Sequence, residues 1–199
     1  MQWWGKTVEY SFVVAAFQSG KCDLAAPLSG KHERLAGDTV FGAESSLVLI
    51  EFKRDESEVP TELSLFHDYE QAKSELFKYE HHQIIFGVPS NGEPATLNLA
   101  AETYFSARPR ASALEVLNYG ISGVEFRKYV EALARLKKED GRSTTGHVSP
   151  EALSKVMSVS RDGTILNAKP LFEYAPDLFP VSVLRDDHTP QPPVIRHRL

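Results

Sequence analysis

Residues 46–53 read SLVLIEFK, the clearest β-strand pattern in the chain. Val48, Ile50 and Phe52 alternate with Leu47, Leu49, Glu51 and Lys53, and β-branched and bulky side chains of this kind suit a pleated surface. Alternation places Leu47, Leu49, Glu51 and Lys53 on one face and Val48, Ile50 and Phe52 on the other. A strand apolar on both faces is largely buried, yet one face ends in a carboxylate and an ammonium. Burying either group alone costs several kcal/mol, so both require partners, a metal or an exit to solvent.

Upstream, Gly42-Ala43-Glu44 turns the chain, and Asp38–Phe41 forms a short strand pairing with 46–53. Asp38 and Glu51 are then expected near the same end of a hairpin. Before it, KCDLAAPLSGKHERLAG is broken by Pro27, Gly30 and Gly37, leaving a short strand near 22–26. Residues 6–19 carry Val8, Phe12, Val13, Ala16 and Phe17 at helical spacing, with Gly20 as the stop. Downstream, Pro60 to His81 shows period 3.6 through Leu65, Phe66, Tyr69, Ala72, Leu76 and Phe77. QIIFGV (83–88) is a compact apolar strand closed by Pro89-Ser90-Asn91-Gly92. The order α-β-β-β-α-β implies an α/β (α+β) fold, a mixed central sheet flanked by helices.

Past residue 95 the pattern is less distinctive. Residues 96–105 read as a strand and 111–118 as a short helix ending near Gly120. Ser122-Gly-Val-Glu125 is a capping box that opens a helix striped by Phe126, Tyr129, Val130, Leu133 and Leu136. Ser149-Pro150 starts another helix, and 163–168 reads as a last strand. The expected organisation is a core over 1–95, a mostly helical α/β extension packed on it over 96–182, and a Pro-rich basic tail over 183–199.

Composition sets bounds on function. A chain of 199 residues, 42% hydrophobic and 25% charged, can bury a core without staples. The single cysteine, Cys22, excludes an internal disulfide and fits a reducing compartment. No apolar run approaches a membrane span, and MQWWGKTVEY lacks the basic-then-apolar pattern of a secretory leader, so a soluble cytoplasmic chain with no membrane partner is expected. The net charge of −5 weighs mildly against nucleic-acid binding, although the local face decides that question.

Two carboxylates on adjacent strands make an oxygen-rich pocket suited to Mg²⁺, which keeps several waters and takes few protein ligands. Lys53 beside them would stay protonated, favouring positioning and charge stabilisation over proton abstraction. GDTVF, with Asp38, and LVLIEFKR, with Glu51 and Lys53, together resemble the PD-(D/E)XK nuclease superfamily, also called restriction-endonuclease-like. Gly37 stands where that motif has proline, and the resemblance covers roughly residues 6–88. It implies the core α-β-β-β-α-β, Asp38 and Glu51 as ligands of Mg²⁺ (with Mn²⁺ as substitute), Lys53 positioning the attacking water, and Glu9 of the first helix as an accessory acid. It also implies a metal-dependent nuclease acting on nucleic acid, DNA more than RNA, as a homodimer or part of a larger complex. The alternative is a catalytically inactive nuclease-fold protein that binds nucleic acid or protein.

Other features point elsewhere. Gly20-Lys21 and Gly30-Lys31 lack the remaining residues of a phosphate-binding loop. His81-His82 are expected to cap a helix C-terminus. Gln71 and Lys73 occupy either a site-supporting position or a solvated helix face. Trp3 and Trp4 read as a core plug. Arg108, Arg110, Arg127, Lys128, Arg135, Lys137, Lys138 and Arg142 form a basic region that could track a phosphate backbone.

Overall fold

A computed structural model describes residues 4–22, 24–27, 39–43, 46–90, 96–138, 155–159 and 165–170. The expected central strand is β3 (Ser46–Asp55), and it is the pivot of the fold. It pairs antiparallel with β2 (Thr39–Ala43), which pairs antiparallel with β1 (Leu24–Pro27). On its other side it pairs parallel with β4 (His82–Pro89), Glu51 opposite Ile84 and Lys53 opposite Phe86. β5 (Leu97–Thr103) continues the sheet antiparallel to β4. β6 (Ile121–Ser122) pairs with the start of β3, completing a six-stranded mixed sheet in the order β1-β2-β3-β4-β5 with β6 beside β3.

Helix α1 (Gly5–Gln18) covers one face of this sheet. Val8, Phe12 and Ala16 recur every four residues and meet Val48, Ile50, Phe52, Ile85 and Ala101. The helix stops as expected: Ser19 caps it and Gly20 takes φ 69°, a left-handed conformation that glycine adopts without a Cβ clash. The opposite face is covered by α2 (Tyr69–Leu76) and α3 (Gly123–Leu136). There Leu47, Leu49, Ile84 and Phe86 pack against Phe66, Leu76, Phe126, Tyr129 and Leu133. Ser122 accepts from the Glu125 N–H at 3.3 Å, so the capping residue read from sequence does start α3.

Three expectations are corrected. The single helix over Pro60–His81 is replaced by a 3-10 segment, Glu56–Leu65, an extended Phe66, and then the short α2. Pro60 supplies no N–H inside the 3-10 segment, and Asp68 accepts from the Gln71 N–H at 3.0 Å, starting α2 afresh. Second, the residues described beyond 138 are strand and not helix. Lys155–Val159 and Ile165–Pro170 form an antiparallel hairpin, β7 and β8, where a helix from Pro150 was expected. Val156 and Val159 favour extended backbone there, and the proposed helix start at Ser149-Pro150 lies outside the described residues. Third, residue 95 is no boundary in the sheet, because β5 is hydrogen-bonded to β4 along its whole length. The tail over 183–199 lies outside the described residues.

Candidate active site

Glu51 and Lys53 share the face of β3 that α2 and α3 cover, and each meets an opposite charge. Glu51 is 4% exposed, and its Oε1 lies 3.6 Å from Nζ of Lys137, the residue that caps α3 and is 1% exposed. The ammonium also lies 5.8 Å from the ring centroids of Phe66 and of Tyr104. Desolvated charges of this kind are tolerated only in pairs, since either one alone would lose its hydration uncompensated.

Lys53 turns the other way along the strand. Its ammonium pairs with Oε1 of Glu62, which the 3-10 segment inserts beneath it. The Tyr104 hydroxyl donates to the second oxygen of Glu62 at 2.6 Å. Burial, and then the charges of Glu62 and Glu51, push the Tyr104 hydroxyl well above its ordinary 10, so it stays a donor. The side chain of Lys53 keeps 16% exposure, giving this half of the site an outlet toward solvent.

Two histidines line the inner wall. His82 stacks on Tyr104, ring centroids 3.9 Å apart and planes inclined 11°, and its Nδ1 shares a 2.6 Å hydrogen bond with the Tyr129 hydroxyl. Burial holds His82 well below its ordinary 6.5, with Lys137 and His81 adding to the shift. His81 lies between Tyr129 and Phe126, centroids 4.3 Å and 5.8 Å away. Neither of its ring nitrogens has a hydrogen-bond partner among the described residues. Burial lowers its pKa to about 3, so both histidines are neutral at physiological pH. This corrects the expectation of a cationic helix cap, because α2 ends at Leu76 and both rings lie inside the core.

The sign of the pH effect follows from these depressed values. A chain that unfolds takes up a proton on His81 below its ordinary 6.5, whereas the folded chain resists until about 3. Stability is therefore complete above pH 6.5 and declines as the pH falls toward 3, at about 1.4 kcal/mol per pH unit for each such histidine. His81→Phe should shallow the decline by about one proton's worth in urea unfolding measured between pH 7 and pH 4. An unchanged slope would show that His81 is not the group responsible.

Glu9 is not brought to Glu51. It lies on α1, against the opposite face, where Lys6 Nζ pairs with Oε2 at 2.6 Å and Thr39 Oγ1 donates to Oε1 at 3.3 Å. Thr39 stands opposite Ile50 in the β2–β3 register, so Thr39 and Glu9 belong with Ile50 while Glu51 points away. Asp38 lies outside the described residues. Gln71 and Lys73 are exposed on α2, with the Gln71 amide donating to Glu75 at 3.1 Å, as a solvated face would have it. Trp4 is exposed, not a core plug, and Trp3 lies outside the described residues. The basic region divides: Lys137 is buried, and Arg110 is drawn in over the Tyr119 ring at 3.7 Å. Arg135 is exposed and pairs with Glu75 at 3.1 Å. Arg142 lies outside the described residues.

Glu62, Tyr104, His82, Tyr129 and Lys137 were not read as site residues from sequence. Lys137 had a usable signal. It follows Leu133 by four residues on the apolar stripe of α3, a place where a cation has to find a buried carboxylate. Glu62, one of five acids from Glu56 to Glu70, carried none that separates it from the solvated ones.

A hard-oxygen donor such as Glu51 fits Mg²⁺ or Mn²⁺, and its present neighbour shows that this buried position calls for positive charge. Among the described residues no three His, Cys, Asp or Glu side chains form a group able to hold a metal. No helix among them is long and apolar enough to cross a membrane. Comparison with protein-family models, with curated proteins and with solved structures finds no match.

Proposed function

We propose that the chain is a metal-dependent nuclease that hydrolyses phosphodiester bonds, in DNA more than in RNA. The observation that carries this reading is the site of Glu51 and Lys53: one face of a central strand antiparallel to β2 and parallel to β4, in the order α-β-β-β-α-β. That arrangement agrees with the PD-(D/E)XK pattern read from the motif residues. Asp38 directly precedes Thr39 in the sequence, and Thr39 pairs with Ile50, the residue before Glu51, which supports Asp38 as the second carboxylate.

A bound Mg²⁺ or Mn²⁺ would lower the pKa of a water and screen the charge that develops on the phosphate. Glu51 and Asp38 would hold it. Lys53, paired with Glu62, orients the attacking water and offsets negative charge on the scissile phosphate. Glu62 and Tyr104 act one step back, fixing where that ammonium sits. Glu9, on the far face of the sheet, is left to support β2 through Thr39. The reading extends to a soluble cytoplasmic chain working as a homodimer or within a larger complex.

A second reading has its own observation. The Glu51–Lys137 and Lys53–Glu62 pairs neutralise each other without any ligand, as in a nuclease fold kept for binding or regulation. Cleavage of single- and double-stranded DNA with Mg²⁺ or Mn²⁺ separates the two. Wild type should cut, and Lys53→Ala and Asp38→Ala should each lose most of the activity. A wild type that binds DNA but never cuts it favours the second reading, and full activity in both variants removes the assigned site.

A further inference from the structure

The backbone around Lys137 is locked on both flanks. The His67 N–H donates to the Leu136 carbonyl at 3.2 Å, and the Lys138 N–H donates to the Leu65 carbonyl at 2.7 Å, bracketing a bridge between Phe66 and Lys137. The Lys137 N–H itself completes the last turn of α3 by donating to the Leu133 carbonyl at 3.1 Å. With the backbone fixed and the Phe66 and Tyr104 rings alongside the ammonium, the side chain is aimed at Glu51. Such a placement is unfavourable unless the charge itself is needed. A lysine loses more rotamer freedom on burial than leucine or isoleucine, and a well-packed apolar pair in place of a buried ion pair is often as stable or more so.

We infer that Lys137 is a placeholder for the divalent cation: it neutralises Glu51 while the metal is away and must leave that carboxylate when the metal binds. The inference rests on Glu51 being a metal ligand, as proposed above. In a desolvated pocket two cations repel strongly at contact distance, so the ammonium and the metal ion compete for one carboxylate. The strength of the Lys137–Glu51 contact is then subtracted from metal affinity, and the two events are linked in both directions. The four-carbon stem lets Nζ swing away while the hydrogen bonds at Leu65, His67, Leu136 and Lys138 keep α3 in place. Metal uptake would thus be reported by the surroundings of one lysine and not by a rearrangement of the fold.

Calorimetric titration of the full chain with MnCl₂ tests this. Lys137→Met and Lys137→Gln keep an unbranched stem without the charge, and should bind Mn²⁺ about tenfold more tightly than wild type, or better. Lys137→Arg, still cationic, should gain nothing, and Glu51→Gln should lose the site. Equal or weaker binding by the uncharged variants overturns the placeholder while leaving Glu51 as a metal ligand. Failure of every protein, wild type included, to bind Mn²⁺ at millimolar levels overturns the metal reading and the placeholder together. A measurement on wild type alone guards against variants that do not fold. Acetylation of the Lys137 amine, followed by mass spectrometry, should speed up about tenfold at saturating MnCl₂, because the ammonium is released from its buried pair. Unchanged labelling with metal bound overturns the inference.

Discussion

If the chain is the metal-dependent nuclease proposed above, Glu51→Gln is expected to slow its DNA cleavage by on the order of a thousandfold, the scale seen when one preorganised electrostatic group is removed from a reacting centre. The substitution keeps the shape of the side chain and an oxygen that can accept a hydrogen bond, but removes the negative charge on which a divalent ion depends. Folding is disturbed less than by a truncation, although Lys137 then faces a neutral amide. Rates should therefore be compared per folded molecule, with the folded fraction read by circular dichroism. If the variant keeps more than about a tenth of the wild-type rate, Glu51 does no chemistry and the nuclease reading loses its main residue. Raising the Mg²⁺ concentration should not rescue the variant, because the ligand itself has been changed.

Lys137→Ala should have the largest effect on stability. It leaves a carboxylate 4% exposed without the buried ammonium that pairs with it, a change that typically costs about 3–5 kcal/mol. In a chain of this length that corresponds to a fall of about 10 °C in Tm. The double substitution Glu51→Leu with Lys137→Met removes both charges and should recover most of the loss, since the surrounding Leu49, Phe66 and Leu133 already form an apolar wall. A small loss in Lys137→Ala, below about 1 kcal/mol, would mean that Glu51 reaches water or another cation once the lysine is gone. Urea unfolding of wild type, Glu51→Leu, Lys137→Met and the double variant, as a double-mutant cycle, gives the coupling directly.

Periodicity made the first half of the fold legible. SLVLIEFK declared itself a buried central strand, and the apolar spacing of 6–19 with Gly20 marked α1 and its end. What could not be read was where interacting segments meet in space. The apolar stripe from Leu65 to Phe77 has the period of one helix, but the Asp68 cap, a local side-chain-to-backbone bond, divides it. Alternation correctly joined Glu51 and Lys53 on a face. It could not say that Glu9 belongs to the other face, because that follows from which side of the sheet α1 packs. The charges that answer Glu51 and Lys53 come from positions 137 and 62, and only the tertiary fold selects them from the other charged residues. His81-His82 misled for a related reason: a histidine pair after a helical pattern reads as a cap until burial is known.

The bridge between Phe66 and Lys137 also bears on the order in which the molecule assembles. It closes a loop of roughly seventy residues, and closure entropy must be met before the bridge returns anything. The local and near-neighbour pairings, β2 with β3 and β4 with β5, can form without it. The ammonium would then reach β3 late, after the sheet is in place, and until that moment the Glu51 carboxylate is still hydrated. Lys137→Ala should accordingly show its destabilisation as faster unfolding with a nearly unchanged folding rate, which marks the contact as one made after the transition state.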